Sequence, residues 1–268
     1  MMAEPASTPA VPRPAATVVI LRDGRDGLEV FMVVRHHEID FASGALVFPG
    51  GKVDPEDGEA AWGELAPHAD KAIDRSFVVA AARETFEEAG FVLARRRGSR
   101  DLLDAAEADR LDAAYRNRLR NDEATFLDLV RGEDLVLATD LMVPFAHWIT
   151  PVTQPKRFDT HFLLVCAPVT QFGAHDGTES VEGVWITPQQ ALADAKAGSR
   201  TVLLPTQMNL TKLSRSATVV EAVAAARADP IVTVTPRVER MPTGRKLHIP
   251  AEAGYGVTEV FVPMPARK

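Results

Sequence analysis

Arg83-Glu84-Thr85-Phe86-Glu87-Glu88-Ala89-Gly90-Phe91 is the stretch on which the reading of this 268-residue chain turns. Glu84, Glu87 and Glu88 stand at i, i+3 and i+4, so a helix here projects all three carboxylates from one face. Like charges so placed repel, and an isolated helix gains nothing from them. A divalent cation turns that repulsion into attraction. Hard oxygen ligands suit Mg²⁺ or Mn²⁺, which sit on a few carboxylates, several waters and a substrate phosphate. The bland alternative is a solvated acidic face, and spacing alone does not choose. The stretch also carries helix punctuation. Ser76, or Asp74 slightly earlier, is the expected N-cap, and Val78, Ala81, Ala82 and Thr85 form a buried stripe. Gly90 suits the left-handed residue that ends a helix. Arg83 and Glu87 form an i, i+4 pair. As a plain surface pair it is worth about 0.3–0.5 kcal/mol, so its value lies in orienting Glu87.

Upstream, Phe48-Pro49-Gly50-Gly51 is a tight apolar-to-glycine turn. The two segments together resemble the Nudix hydrolase signature, G-x5-E-x7-R-E-U-x-E-E-x-G-U, with U apolar. Arg83, Glu84, Glu87, Glu88, Gly90 and Phe91 match its second half, with Thr85 a half-apolar U, and Gly51 matches its opening glycine. Asp57 stands where the first Glu belongs. Arg83 follows Gly51 by 32 residues where the signature allows 14, an insertion of 18 residues at 58–75. The insertion leaves Asp57 and Asp74 as rivals for the first acidic position. The resemblance implies an α/β/α sandwich around a mixed sheet, and the several strands with few interposed helices also favour a mixed sheet. It further implies that Arg83 orients a metal-binding glutamate. Glu84, Glu87, Glu88 and the Gly51 carbonyl would bind Mg²⁺ or Mn²⁺, and a further loop carboxylate, Glu179 or its rival Glu182, would act as general base or extra ligand.

A second resemblance runs through residues 150–160 and 203–213, which look like the peroxisomal and mitochondrial coenzyme A diphosphatase branch of that family. That branch also carries a long insertion inside the signature. Lys156 and Arg157 would then meet a phosphate, and Arg35, with Gly44, loosely fits an element that marks some coenzyme A hydrolases. The competing reading of Lys156 and Arg157 is a charged entry to an edge strand. The implied activity is pyrophosphohydrolysis of a small nucleoside diphosphate derivative, with coenzyme A or acyl-coenzyme A first. ADP-ribose, nucleotide sugars, dinucleotides and a non-enzymatic nucleotide-binding module are the alternatives. Many members of the family are dimers, which leaves a homodimer open.

Composition sets outer bounds. Hydrophobic content of 46% and charged content of 25% are those of a globular chain, and a net charge of −7 gives no hint of a nucleic-acid surface. Lone Cys166 excludes an intramolecular disulfide; it fits a reducing, cytoplasmic setting and reads as a core thiol. No apolar run reaches the 18 residues that a membrane span requires. Residues 1–14, rich in Ala and Pro, read as a disordered tail, and residues 15–268 as one domain. That domain carries the insertion at 58–75, a helical insertion at 95–134 and a C-terminal extension at 200–268. The twin Asp-Gly pairs at 23–24 and 26–27 predict a β-hairpin turn. Further strands are expected at 45–48, 161–167 and 184–186, strand-like runs at 231–234 and 257–262, and helices at 77–89, 187–197 and 219–228. The basic run Arg95, Arg96, Arg97 and Arg100 reads as a solvated loop, and the seven histidines form no ligand cluster. Adjacent His36 and His37 would point to opposite faces of a strand.

Overall fold

A computed structural model describes residues 9–35, 44–67, 73–171, 173 and 180–264. Strands β1 (Arg13–Gly24) and β2 (Gly27–Arg35) form the hairpin that the Asp-Gly pairs predict. There follow β3 (Leu46–Val47), β4 (Gly50–Lys52), a 3₁₀ turn (Pro55–Gly58), α1 (Trp62–Leu65) and α2 (Arg75–Ala89). The accessory segment holds β5 (Ala94–Arg96), α3 (Ala105–Leu111), α4 (Asn117–Arg120), α5 (Phe126–Gly132) and β6 (Leu135–Leu137). The chain returns through β7 (Val143–Ile149), β8 (Phe158–Cys166), β9 (Ser180–Ile186), α6 (Pro188–Ala197), α7 (Leu204–Leu213) and α8 (Val219–Ala228). Strands β10 (Thr233–Val234), β11 (Arg237–Met241), β12 (Gly244–His248) and β13 (Glu259–Pro263) complete it.

The main sheet runs β10-β7-β8-β1-β2-β3, with β4 also on β1 and β9 also on β2. Strand β1 is parallel to β8 and β10 to β7, while the other pairs are antiparallel, so the sheet is mixed. Its alternation divides the core. Ala16, Val18 and Ile20 of β1 share one cluster with Val78, Val79, Ala82 and Phe86 of α2. Val19 and Leu21 point the other way, into a cluster with Ala191 of α6, Leu210 of α7 and Ala222 of α8. Helices therefore cover both faces, which makes the fold an α/β/α sandwich. It also explains why β1 and β2 read as continuous apolar runs rather than alternating ones. Each fully buried Val, Ile or Phe contributes about 1.5–3 kcal/mol, so this double-sided burial dominates stability.

The structure corrects several expectations. Strand β1 begins at Arg13, inside the segment read as tail, because β8 offers it a parallel ladder starting at Arg13↔Phe158. Residues 1–8 lie outside the described set. Arg95 and Arg96 belong to β5, and each basic side chain meets an acid: Arg95 with Asp140, Arg96 with Glu107 and Arg97 with Asp134. Cys166 is exposed rather than core, because it is the last residue of β8. Three ligand-type side chains do gather: strand pairing brings together His147, His161 and Asp159, which sequence separation had hidden.

Candidate active site

Helix α2 supplies the chemistry and β4 faces it. Asp74 is the N-cap, accepting from Ser76 N (2.9 Å) and Ser76 Oγ (2.6 Å), and Gly90 ends the helix at φ +69°. Thr85, at the half-apolar position, is buried, with its hydroxyl donated to the Ala81 carbonyl (2.7 Å). That bond makes a polar residue tolerable in the stripe. The acidic face meets the glycine turn. Gly50 N donates to Glu88 Oε2 at 2.8 Å. A Cβ on Gly51 would stand 2.3 Å from Glu84 Oε1, so only glycine admits the Glu84 carboxylate here. Gly50 itself has φ +154°, and a Cβ there would meet the Ala16 carbonyl oxygen at 2.4 Å.

Arg83 organises the centre. Its Nε and Nη2 form a fork on the buried Asp57 carboxylate, at 3.0 and 2.9 Å. Nη2 also donates to the Lys52 carbonyl (2.9 Å), while Nη1 donates to Glu84 (2.9 Å) and Glu87 (3.2 Å). Asp57 in turn accepts from Asp54 N at 2.8 Å, closing a capping box on the 3₁₀ turn. So Asp57, not Asp74, is the acid that reaches Arg83. The Asp54-x-x-Asp57 spacing with Pro55 behind the cap was the sequence signal that could have separated them. Burial pulls the Arg83 guanidinium down, but the bond to Asp57 and the Glu84, Asp57 and Glu87 charges outweigh it and hold it well above the ordinary value. Burial pushes Asp57 and Glu87 up, against the opposing pull of Arg83. Arg83 ion-pairs with Asp54, Asp57, Glu84 and Glu87, and Glu88 is a further acid alongside. Four carboxylates converge on the Arg83 guanidinium with that of Glu88 beside them, a crowding of negative charge suited to a divalent cation. The donors are hard oxygens, which fits Mg²⁺ or Mn²⁺.

A broad cleft opens from this centre. Gly51, Glu84, Glu87 and Glu88 line it together with Arg35, Lys156 and Arg157, so the structure brings the candidate metal and substrate residues to one place. They are not equivalent. Arg157 is buried and donates from Nε to the Thr150 carbonyl (3.0 Å) and from Nη1 to the Ala10 carbonyl (2.7 Å), so half of its fork ties the N-terminal segment to the turn before β8. Lys156 is exposed on the cleft wall. Arg35 ends β2, and its Nε is buried without a hydrogen-bond partner among the described residues. Glu179, His36 and His37 lie outside the described residues. Glu182 is on β9, held in a two-bond pair with Arg200 at 3.0 and 2.9 Å. Trp62, with Leu65 and Pro67, marks the insertion at 58–75 as a packed loop expected to border the cleft. Trp62 is buried in the insertion, donates from Nε1 to the Glu56 carbonyl (2.9 Å), stacks near Phe126 and borders the cleft.

Known proteins resemble this chain in sequence and in fold. Residues 70–213, more than half of the chain, match the family model described as NUDT19 Nudix domain. The chain is 29% identical over 217 residues to acyl-coenzyme A diphosphatase NUDT19 of Gallus gallus, covering 63% of this chain and 56% of that protein. It is 28% identical over 228 residues to the Homo sapiens protein of the same name, covering 70% of this chain and 58% of that one. The chain thus spans somewhat over half the length of these relatives. Among solved structures, a NUDIX hydrolase from Alicyclobacillus acidocaldarius superposes with a TM-score of 0.66 at 28% identity, over 82% of this chain and 97% of that one. Family model, fold and acidic helix point the same way, and the chain belongs to the Nudix hydrolase family.

Proposed function

We propose that this chain is a metal-dependent pyrophosphohydrolase that cleaves a nucleoside diphosphate linked to another moiety, with coenzyme A or acyl-coenzyme A the leading substrates. The observation that carries the reading is the Arg83–Asp57 fork, which gathers Glu84 and Glu87 beside Glu88 and Gly51 at the floor of a cleft. Glu84, Glu87 and Glu88, with the Gly51 carbonyl, would hold Mg²⁺ or Mn²⁺. When bound, the ion neutralises charge on the phosphate and lowers the pKa of an attacking water. Arg83 keeps the carboxylates in place and has its N–H groups committed to them and to the Lys52 carbonyl, so it acts by positioning rather than on substrate. Lys156 and Arg35 supply cations on the cleft wall for the remaining phosphate charge. We assign the water proton to Glu179 or to one of the helix glutamates. The names of the relatives favour the coenzyme A class over the alternatives.

The test is turnover of coenzyme A, an acyl-coenzyme A, ADP-ribose and NADH at equal concentration with Mg²⁺ or Mn²⁺. The coenzyme A substrates should show the highest kcat/KM and yield 3′,5′-ADP and a 4′-phosphopantetheine. Preference for ADP-ribose or NADH would overturn the substrate class. Metal-dependent hydrolysis of none of the four would overturn the enzymatic reading.

A further inference from the structure

The sheet carries a second set of ligand-type side chains outside the glutamate centre. His147 of β7 and His161 of β8 are direct cross-strand partners, and Asp159 lies two residues before His161, so all three share one face. The two imidazoles stack at 4.0 Å with 11° between their planes. His147 Nε2 is 2.5 Å from Asp159 Oδ1, and His147 Nδ1 is 2.8 Å from Thr233 Oγ1 of β10. One donor atom from each of the three residues lies within 4.8 Å of the other two. Phe77 of α2 packs edge-on to His161 at 4.6 Å, so these residues lie on the side of the sheet that α2 covers. None of the three lines the cleft.

The bland reading is a hydrogen-bond relay, Thr233–His147–Asp159, that holds the edge of the sheet. It accounts for His147 and Asp159, while His161 enters only through its ring packing on His147 and Phe77: among the described residues its ring makes no hydrogen bond. A metal site uses all three. If the His147 Nδ1–H is given to Thr233, Nε2 is the lone-pair nitrogen and faces a carboxylate oxygen at 2.5 Å. The neutral Nε2–H tautomer fills that gap with a proton, Nδ1 then accepting from the Thr233 hydroxyl; a metal ion can take the place of that proton, with Nδ1–H turned to donate to Thr233. A neighbour that fixes the tautomer of a ligating histidine is also a common outer partner of metal sites. Two imidazoles and one carboxylate form a borderline-soft donor set, suited to Zn²⁺ or Co²⁺ and unlike the all-oxygen set on α2. Metal–nitrogen distances near ~2.0–2.1 Å require the donors to draw in from their present separation. A shared ion must also lie in the plane of each ring, so binding has to open the 11° stack by rotation of the half-buried side chains on a backbone that strand pairing fixes.

We propose that His147, His161 and Asp159 form a second metal site, selective for Zn²⁺-type cations, that clamps β7 to β8, with Thr233 of the two-residue strand β10 as its outer partner. The test uses the full chain and stands apart from the pyrophosphohydrolase reading. In the triple variant Glu84→Gln, Glu87→Gln, Glu88→Gln, Co²⁺ titration followed by visible absorption should still show one bound ion per chain, undiminished by excess Mg²⁺. Adding His161→Asn or His147→Gln should abolish that band, and Thr233→Val should weaken binding by about 10-fold. Circular dichroism checks that each variant is folded. Zn²⁺ should raise the Tm of the triple variant and leave it unchanged once His161→Asn is added to it. A triple variant that binds no Co²⁺ or Zn²⁺ at about 100 μM, where a useful site would be filled, overturns the proposal. So does binding that survives in both folded histidine variants.

Discussion

Gly51 and Gly50 are adjacent, yet the structure sets them opposite tasks, and replacing each by alanine separates the centre from the fold. At Gly51 the new Cβ would lie 2.3–2.6 Å from the carboxyl atoms of Glu84, and ordinary contact begins at 3.4 Å. The carboxylate must therefore retreat by about 1 Å, which its flexible side chain can do without moving backbone. Displacement of a catalytic group by about 1 Å costs on the order of 10²-fold in turnover, or about 2.7 kcal/mol of barrier. Stability should change by no more than about 0.5 kcal/mol. At Gly50 the Cβ would meet the Ala16 carbonyl oxygen at 2.4 Å and Thr17 Cα at 2.6 Å, with φ at +154°. Those atoms belong to the central strand and cannot swing aside. Gly50→Ala should therefore destabilise by about 1–3 kcal/mol. Urea unfolding gives stability, and a Mg²⁺ titration of coenzyme A hydrolysis gives turnover and metal affinity. Gly51→Ala with turnover within threefold of wild type, at unchanged Mg²⁺ requirement, would refute Glu84 as a ligand held against the glycine.

Four further outcomes are expected. Glu87→Gln and Glu88→Gln should each lower kcat by at least about 10²-fold with little change in unfolding, because relief of repulsion on the acidic face offsets the weakened bonds from Arg83 to Glu87 and from Gly50 N to Glu88. EDTA should reproduce the loss in wild type, and added Mg²⁺ or Mn²⁺ should reverse it. Asp57→Asn leaves an amide donor facing an Arg83 or backbone N–H whichever way it turns, and breaking a buried pair costs about 3–5 kcal/mol. Denaturant titration should find destabilisation approaching that range, together with weaker Mg²⁺ activation, since Arg83 then leans on Glu84 and Glu87. Tyr255→Phe removes a buried hydroxyl that accepts from Trp148 Nε1 (2.8 Å) and donates to Asn209 Oδ1 (2.9 Å), for a loss of about 1–3 kcal/mol. Burial pushes the Tyr255 hydroxyl from 10.0 up to about 12, so across that interval the folded state keeps a proton the unfolded state has lost. Wild-type stability should fall as pH rises from 10.0 to about 12, with Tyr255→Phe spared this component in pH-dependent unfolding.

The sequence declares most clearly what local rules dictate. Helix α8 spans Val219–Ala228 as expected, and α6 runs from its Thr187 cap to left-handed Gly198, because caps and periodicity are written in neighbouring residues. The acidic face of α2 was legible for the same reason. What stayed hidden depends on pairing at long range. Asp57 and Asp74 are equally acidic in the sequence, and only the fold brings one to Arg83 and leaves the other capping a helix. Arg157 carries no mark that its fork faces backbone carbonyls. Strand β7 contains Pro144 and alternates imperfectly, with a register shift between Pro144 and Ala146, so its pattern is weak in isolation. His147 and His161 are neighbours only because β7 and β8 pair in that register.

The bond between Asp57 and Arg83 closes a loop of 26 residues, where the family signature would close one of 8. Closure entropy grows only logarithmically, so the longer loop costs roughly 1 kcal/mol more. Burial of Trp62 and Leu65, both inside the added segment, offsets that several times over at about 1.5–3 kcal/mol each. The interval between acid and arginine therefore behaves as a cassette. Its length can change without moving the two ends, and its residues can reshape the cleft at Trp62 while the glutamates stay where they are.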